Sequence, residues 1–95
     1  MPRLGSEQIA TLLRELPGWD AREEKLCRTF KFPDFRGAMR FVDRMAELAE
    51  SEGHHPDFCV HYSRVDVTIW THAIGGLSEN DFVLAVKIGD LAETR

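Results

Sequence analysis

The chain has 95 residues, 43% of them apolar and 29% charged, with a formal net charge of −4. That length suits one domain, residues 1–95, which buries little surface alone and makes an oligomer a reasonable expectation. Lys and Arg are scattered singly, which argues against a nucleic-acid surface, and no apolar run approaches the ~20 residues of a membrane span.

The start, M-P-R-L-G-S-E-Q, lacks a long apolar core, so no secretory leader is expected. Cys27 and Cys59 have no C-x-x-C spacing and are expected as reduced thiols of a cytoplasmic protein. Ser6, followed by Glu7 and Gln8, is a helix N-cap signal. Ile9, Leu12, Leu13 and Leu16 then recur at helical spacing until Pro17-Gly18 stops the helix. Residues 19–22 and 25–32 are expected as two short strands around a Glu23-Glu24 turn. Period-two alternation puts Leu26, Phe30 and Phe32 on one face, interrupted by Arg28, and Cys27, Thr29 and Lys31 on the other.

Pro33-Asp34 opens the longest helix, residues 34–52. Its apolar stripe is Phe35, Ala38, Phe41, Val42, Met45, Leu48 and Ala49. Gly53 suits the left-handed position just past a helix end, and Pro56 prevents a restart. His54 and His55 therefore lie in a tight helix exit.

Residues 58–62 and 65–72 alternate as a hairpin. A Ser63-Arg64 loop sets Tyr62 opposite Val65, Val60 opposite Val67 and Phe58 opposite Ile69, so apolar partners match. Carried outward, that register brings His55 opposite His72. His61 faces Asp66 and is assigned as its cross-strand partner. Ile74-Gly75-Gly76-Leu77 is a loop whose glycines open backbone angles closed to other residues. Ser78-Glu79-Asn80-Asp81 is a capping-box-like helix start. Phe82, Ala85, Val86, Ile88 and Gly89 carry the inner face of a last helix that frays in polar residues 93–95.

Histidine gives and takes protons near neutral pH, so His54, His55 and His72, converging beside carboxylates, mark the place to look for proton transfer. Zinc is disfavoured, because neither H-x-x-x-H on a helix nor C-x-x-C is present. Cys59 has no helix N-terminus behind it to make it a nucleophile, and Gly75-Gly76 alone is not a phosphate loop. Metal-free acid–base catalysis and pure binding remain. A dehydration needs one group to protonate a leaving hydroxyl and another to remove a proton.

Glu50-x-x-x-His54-His55-Pro56, Tyr62-x-x-Val65, and Thr71-His72 with Gly76-Leu77-Ser78-x-x-Asp81 resemble the pterin-4a-carbinolamine dehydratase family, and the likeness runs over residues 16–91. The resemblance implies an α+β fold: a four-stranded antiparallel sheet with three helices packed on one face. It implies a lyase that converts 4a-hydroxytetrahydrobiopterin to quinonoid dihydrobiopterin, without metal or cofactor. The partners it implies are a reduced pterin substrate and further copies of the chain, as a homodimer or homotetramer. It casts His54 and His72 as acid–base groups, with His55 contributing to pterin binding and proton transfer. Glu50, Gly53, Pro56, Phe58, Trp70, Thr71 and Asp81 fall at substrate-binding positions. Asp81 either holds His72 in one tautomer or only caps its helix.

Where some members carry a tryptophan two residues after His-His-Pro, this chain has Phe58, which keeps an apolar wall but loses the indole N–H donor. Trp70 either supplies an alternative aromatic surface or is a partly exposed strand residue. The rival expectation is a non-catalytic assembly or coactivator member of the same fold. Retention of all three histidines favours the enzyme.

Overall fold

A computed structural model describes residues 3–93. In chain order the elements are α1 (Ser6–Leu13), β1 (Asp20–Arg22), β2 (Lys25–Lys31), α2 (Phe35–Glu52), β3 (Asp57–His61), β4 (Arg64–Ile69), a single 3-10 turn (His72–Ile74) and α3 (Glu79–Glu93). The strands form one antiparallel sheet in the order β1-β2-β4-β3, and the three helices cover one of its faces. Among the described residues no helix is long and apolar enough to cross a membrane. The polar end expected at 94–95 lies outside the described residues.

Alternation decides which face of each strand is buried. Leu26 and Phe30 of β2 and Val65, Val67 and Ile69 of β4 point into the core, against Ala38, Phe41, Val42, Met45 and Ala49 of α2 and Phe82, Leu84, Ala85 and Ile88 of α3. Phe41 packs between Phe30 and Phe32, with ring centroids 4.7 and 5.1 Å away. Arg28 lies on the core side of β2 yet keeps its charge at the surface. Its guanidinium covers the Phe30 ring at 4.4 Å and passes between Gly18 and Gly89, where an added Cβ would come within 3.0 and 3.2 Å of it.

Several local expectations are corrected. The N-cap of α1 is Gly5, and the Gln8 side chain reaches back to accept from the Gly5 N–H at 2.9 Å, so Ser6 is already helical. Helix α1 ends at Leu13, leaving Leu16 buried in the turn that follows. Asp34 stands outside α2 as its cap, accepting from the Gly37 N–H at 2.8 Å. Phe35 and Val86 are about half exposed, because each falls on the outer side of its helix, while Leu84 is buried in place of Val86.

The hairpin register moves as well. The pairs are Val60 with Val65, Phe58 with Val67 and Asp57 with Thr68, so the loop is Tyr62-Ser63. Tyr62 adopts φ 55, a left-handed conformation suited to a two-residue reversal, and the Phe32 N–H bonds the Ser63 carbonyl at 2.8 Å. Registers that differ by two residues bury the same face, so the apolar matches did not distinguish them; the turn does. His61 then reaches Asp66 diagonally, at 3.4 Å, rather than from directly opposite.

Candidate active site

Two glycines shape the segments that carry the histidines. Gly53 ends α2 at φ 64 and Gly75 ends the 3-10 turn at φ 61; neither would crowd a Cβ, so the backbone angle alone calls for glycine. Past α2, the His54 N–H reaches back to the Ala49 carbonyl at 3.1 Å, and the Gly53 N–H bonds Ala49 and Glu50. This is the Schellman closure of a helix, and it fixes the His54 backbone directly over the last turn. His72 is fixed differently. The Thr71 N–H bonds the Gly76 carbonyl at 2.9 Å, pinching off the turn that carries His72.

The two segments meet. Gly53, His54, His55, Trp70, Thr71 and His72 line a cavity of about 250 Å³. All six are among the expected site residues. Of the others, Glu50, Pro56, Phe58 and Asp81 do not line it. Phe58 is 43% exposed on β3, a strand at the edge of the sheet. A larger cavity, about 380 Å³, surrounds Arg28 and shares no lining residue with the histidine site.

Asp81 supports the site from beneath. It is fully buried on the first turn of α3, and its Oδ2 accepts from the Ser78 N–H and from the Thr71 hydroxyl, both at 2.8 Å. Its Oδ1 lies 2.7 Å from Nε2 of His54, whose side chain is only 17% exposed. The contact is close but bent away from straight hydrogen-bond alignment, and neither buried atom has a hydrogen bond elsewhere among the described residues. Asp81 is therefore a helix cap, as one reading of the sequence had it, and the imidazole it touches is that of His54, not His72. The Asp81 carboxylate thus lies against Nε2 of His54, a residue that lines the cavity. Ser78, 1% exposed and 3.0 Å from the Thr71 hydroxyl, completes this buried group. The sequence marks it as a helix start and as part of the Gly76-Leu77-Ser78 motif, with no site role.

The remaining imidazoles sit at the rim. His55 pairs through Nε2 with Glu50, on the last turn of α2, and both side chains are exposed. His72 packs its ring on Trp70, with centroids 4.1 Å apart, and its Nε2 is 4.0 Å from Asp57 Oδ2. Asp57 also accepts from the Trp70 indole N–H at 3.4 Å, and Lys25 Nζ sits 4.7 Å from the centre of the Trp70 ring. The expected register set Asp57 opposite Trp70 but gave the carboxylate no role. Among the described residues no group of three or more His, Cys, Asp or Glu side chains is arranged to hold a metal ion.

Residues 2–91 match the family described as Pterin 4 alpha carbinolamine dehydratase. A relative from Thermomicrobium roseum, provisionally named a pterin-4-alpha-carbinolamine dehydratase, is 49% identical over 97% of this chain and 99% of its own. One from Rubrobacter xylanophilus, with the same provisional name, is 47% identical over 96% of this chain and 86% of its own. A crystal structure from Brucella melitensis, described as a transcriptional coactivator/pterin dehydratase, superposes with a TM-score of 0.92 at 39% identity, covering 96% of this chain and 99% of that one. A pterin dehydratase-like protein described as a RuBisCO assembly factor in the alpha-carboxysome shares the fold, with a TM-score of 0.66 at 23% identity over 78% of this chain and 86% of its own.

Proposed function

Because the chain belongs to the pterin 4 alpha carbinolamine dehydratase family, we propose that it dehydrates 4a-hydroxytetrahydrobiopterin to quinonoid dihydrobiopterin, recycling a reduced pterin by histidine acid–base chemistry without metal. The observation that carries the reading is the meeting of His54, His55 and His72 in one cavity. A volume of about 250 Å³ lies just below the ~300–1,000 Å³ usual for drug-sized ligands and suits one flat bicycle.

The roles follow from what holds each ring. With Nε2 of His54 against the Asp81 carboxylate, Nδ1 is the nitrogen assigned to take the proton. His54 is thus the base that removes a ring N–H proton of the pterin. His72, at the exposed rim, is the acid that protonates the 4a-hydroxyl. The hydroxyl leaves with that proton as water, and the electrons of the broken N–H bond form the ring C=N. Net, one water is lost and no electrons are exchanged. His55, oriented by Glu50, binds the pterin and passes protons to solvent. Trp70 and Thr71 wall the bicycle, and positioning contributes alongside proton transfer.

Adding 4a-hydroxytetrahydrobiopterin and following absorbance tests the reading. Acceleration over buffer is expected. A rate equal to buffer would instead favour a non-catalytic role, such as the transcriptional coactivator named for the Brucella melitensis relative.

A further inference from the structure

His54 is held by a buried carboxylate and His72 by none, although both must present a ring to one substrate. The solvent face of the sheet supplies a second kind of support. Asp57 opens β3 opposite Thr68 of β4, and Trp70 lies two residues further along on the same face. One oxygen of Asp57, Oδ2, therefore meets both the Trp70 indole N–H, at 3.4 Å, and Nε2 of His72, at 4.0 Å. The Trp70 and His72 rings lie 4.1 Å apart with their planes 37° off parallel, and Lys25 covers Trp70. The pinched turn fixes the backbone of His72 but not its χ angles. A ring on one side and a carboxylate shared with that ring remove this freedom.

We propose that Asp57 is a positioning residue for His72, acting through Trp70 to hold the imidazole toward the cavity in the dehydration argued above. Asp57 does not line the cavity, so it acts by holding His72 and Trp70 and not by touching the pterin. The charged and titratable groups facing His72 are Asp57 from β3, Lys25 from β2 by way of Trp70, and His54 and His55 from the α2 exit.

The test uses the full chain and three variants. Asp57→Asn is expected to lower kcat about 3- to 5-fold with a smaller change in KM, the scale of an exposed ion pair, and Asp57→Glu to recover part of the loss. Asp66→Asn, on the same sheet face and paired with His61, leaves kcat alone. By NMR, the ring-current displacement that Trp70 imposes on the His72 ring protons shrinks in Asp57→Asn while the backbone amide spectrum is otherwise kept. Unmoved His72 ring protons in Asp57→Asn, or an equal kcat loss in Asp66→Asn, would overturn the proposal. A wild-type protein without turnover counts against the dehydratase reading instead, and the His72 resonances then still decide whether Asp57 holds that ring.

Discussion

His54 and His72 line one cavity and are anchored in opposite ways. His54 is 17% exposed and rests on a fully buried carboxylate, whereas the His72 and Asp57 side chains are 61% and 66% exposed. A charge pair out of water interacts far more strongly than one in it, and a buried partner left unpaired is costly. Exposed pairs are screened and contribute little. In the proposed dehydration the buried contact suits the ring that takes a proton from the substrate, and the exposed one suits the ring that exchanges its proton with solvent. The site is thus graded from a rigid floor at the start of α3 to a wet rim at the sheet edge.

Variants break this contrast in descending order of effect. His54→Ala and His72→Ala are each expected to lower kcat by about 10²-fold or more in the absorbance assay, as loss of a general acid or base does; a near-normal rate for either would remove that ring from the mechanism. Asp81→Asn separates floor from rim. It keeps the shape but loses the charge under His54, so kcat falls roughly tenfold, about 1.4 kcal/mol of barrier. Because Asp81 also accepts from Ser78 and Thr71, thermal or urea unfolding of the same variant reports a loss of about 1.5–3 kcal/mol. Glu50→Gln touches only the rim pair with His55 and shifts stability by less than about 1 kcal/mol. A Glu50→Gln loss as large as that of Asp81→Asn would erase the gradient.

Much of this architecture was legible in the sequence, and the exceptions have physical causes. Hydrophobic period gave the faces: Leu26, Phe30, Val65, Val67 and Ile69 are all inside. It did not give the hairpin register, because a slip of two residues leaves every face unchanged and the left-handed Tyr62 carries no mark such as Gly or Asn. The convergence of Gly53-His54-His55 with Trp70-Thr71-His72 survived that slip, since both segments leave the same end of the hairpin. The cap role of Asp81 followed from its spacing to Ser78, but its imidazole partner did not. Which histidine it meets depends on how α3 docks across the exit of α2, and no local pattern encodes that. Asp57 went unassigned for a similar reason, its contacts being diagonal across two strands.

The most direct measurement is a crystal structure of the protein with a bound reduced pterin analogue. The analogue is expected in the cavity between the α2 exit and the 3-10 turn, its bicycle against Trp70 and within hydrogen-bond distance of His54 Nδ1 and the His72 ring. An analogue seated instead in the Arg28 cavity, or none bound at saturating concentration, would contradict the account.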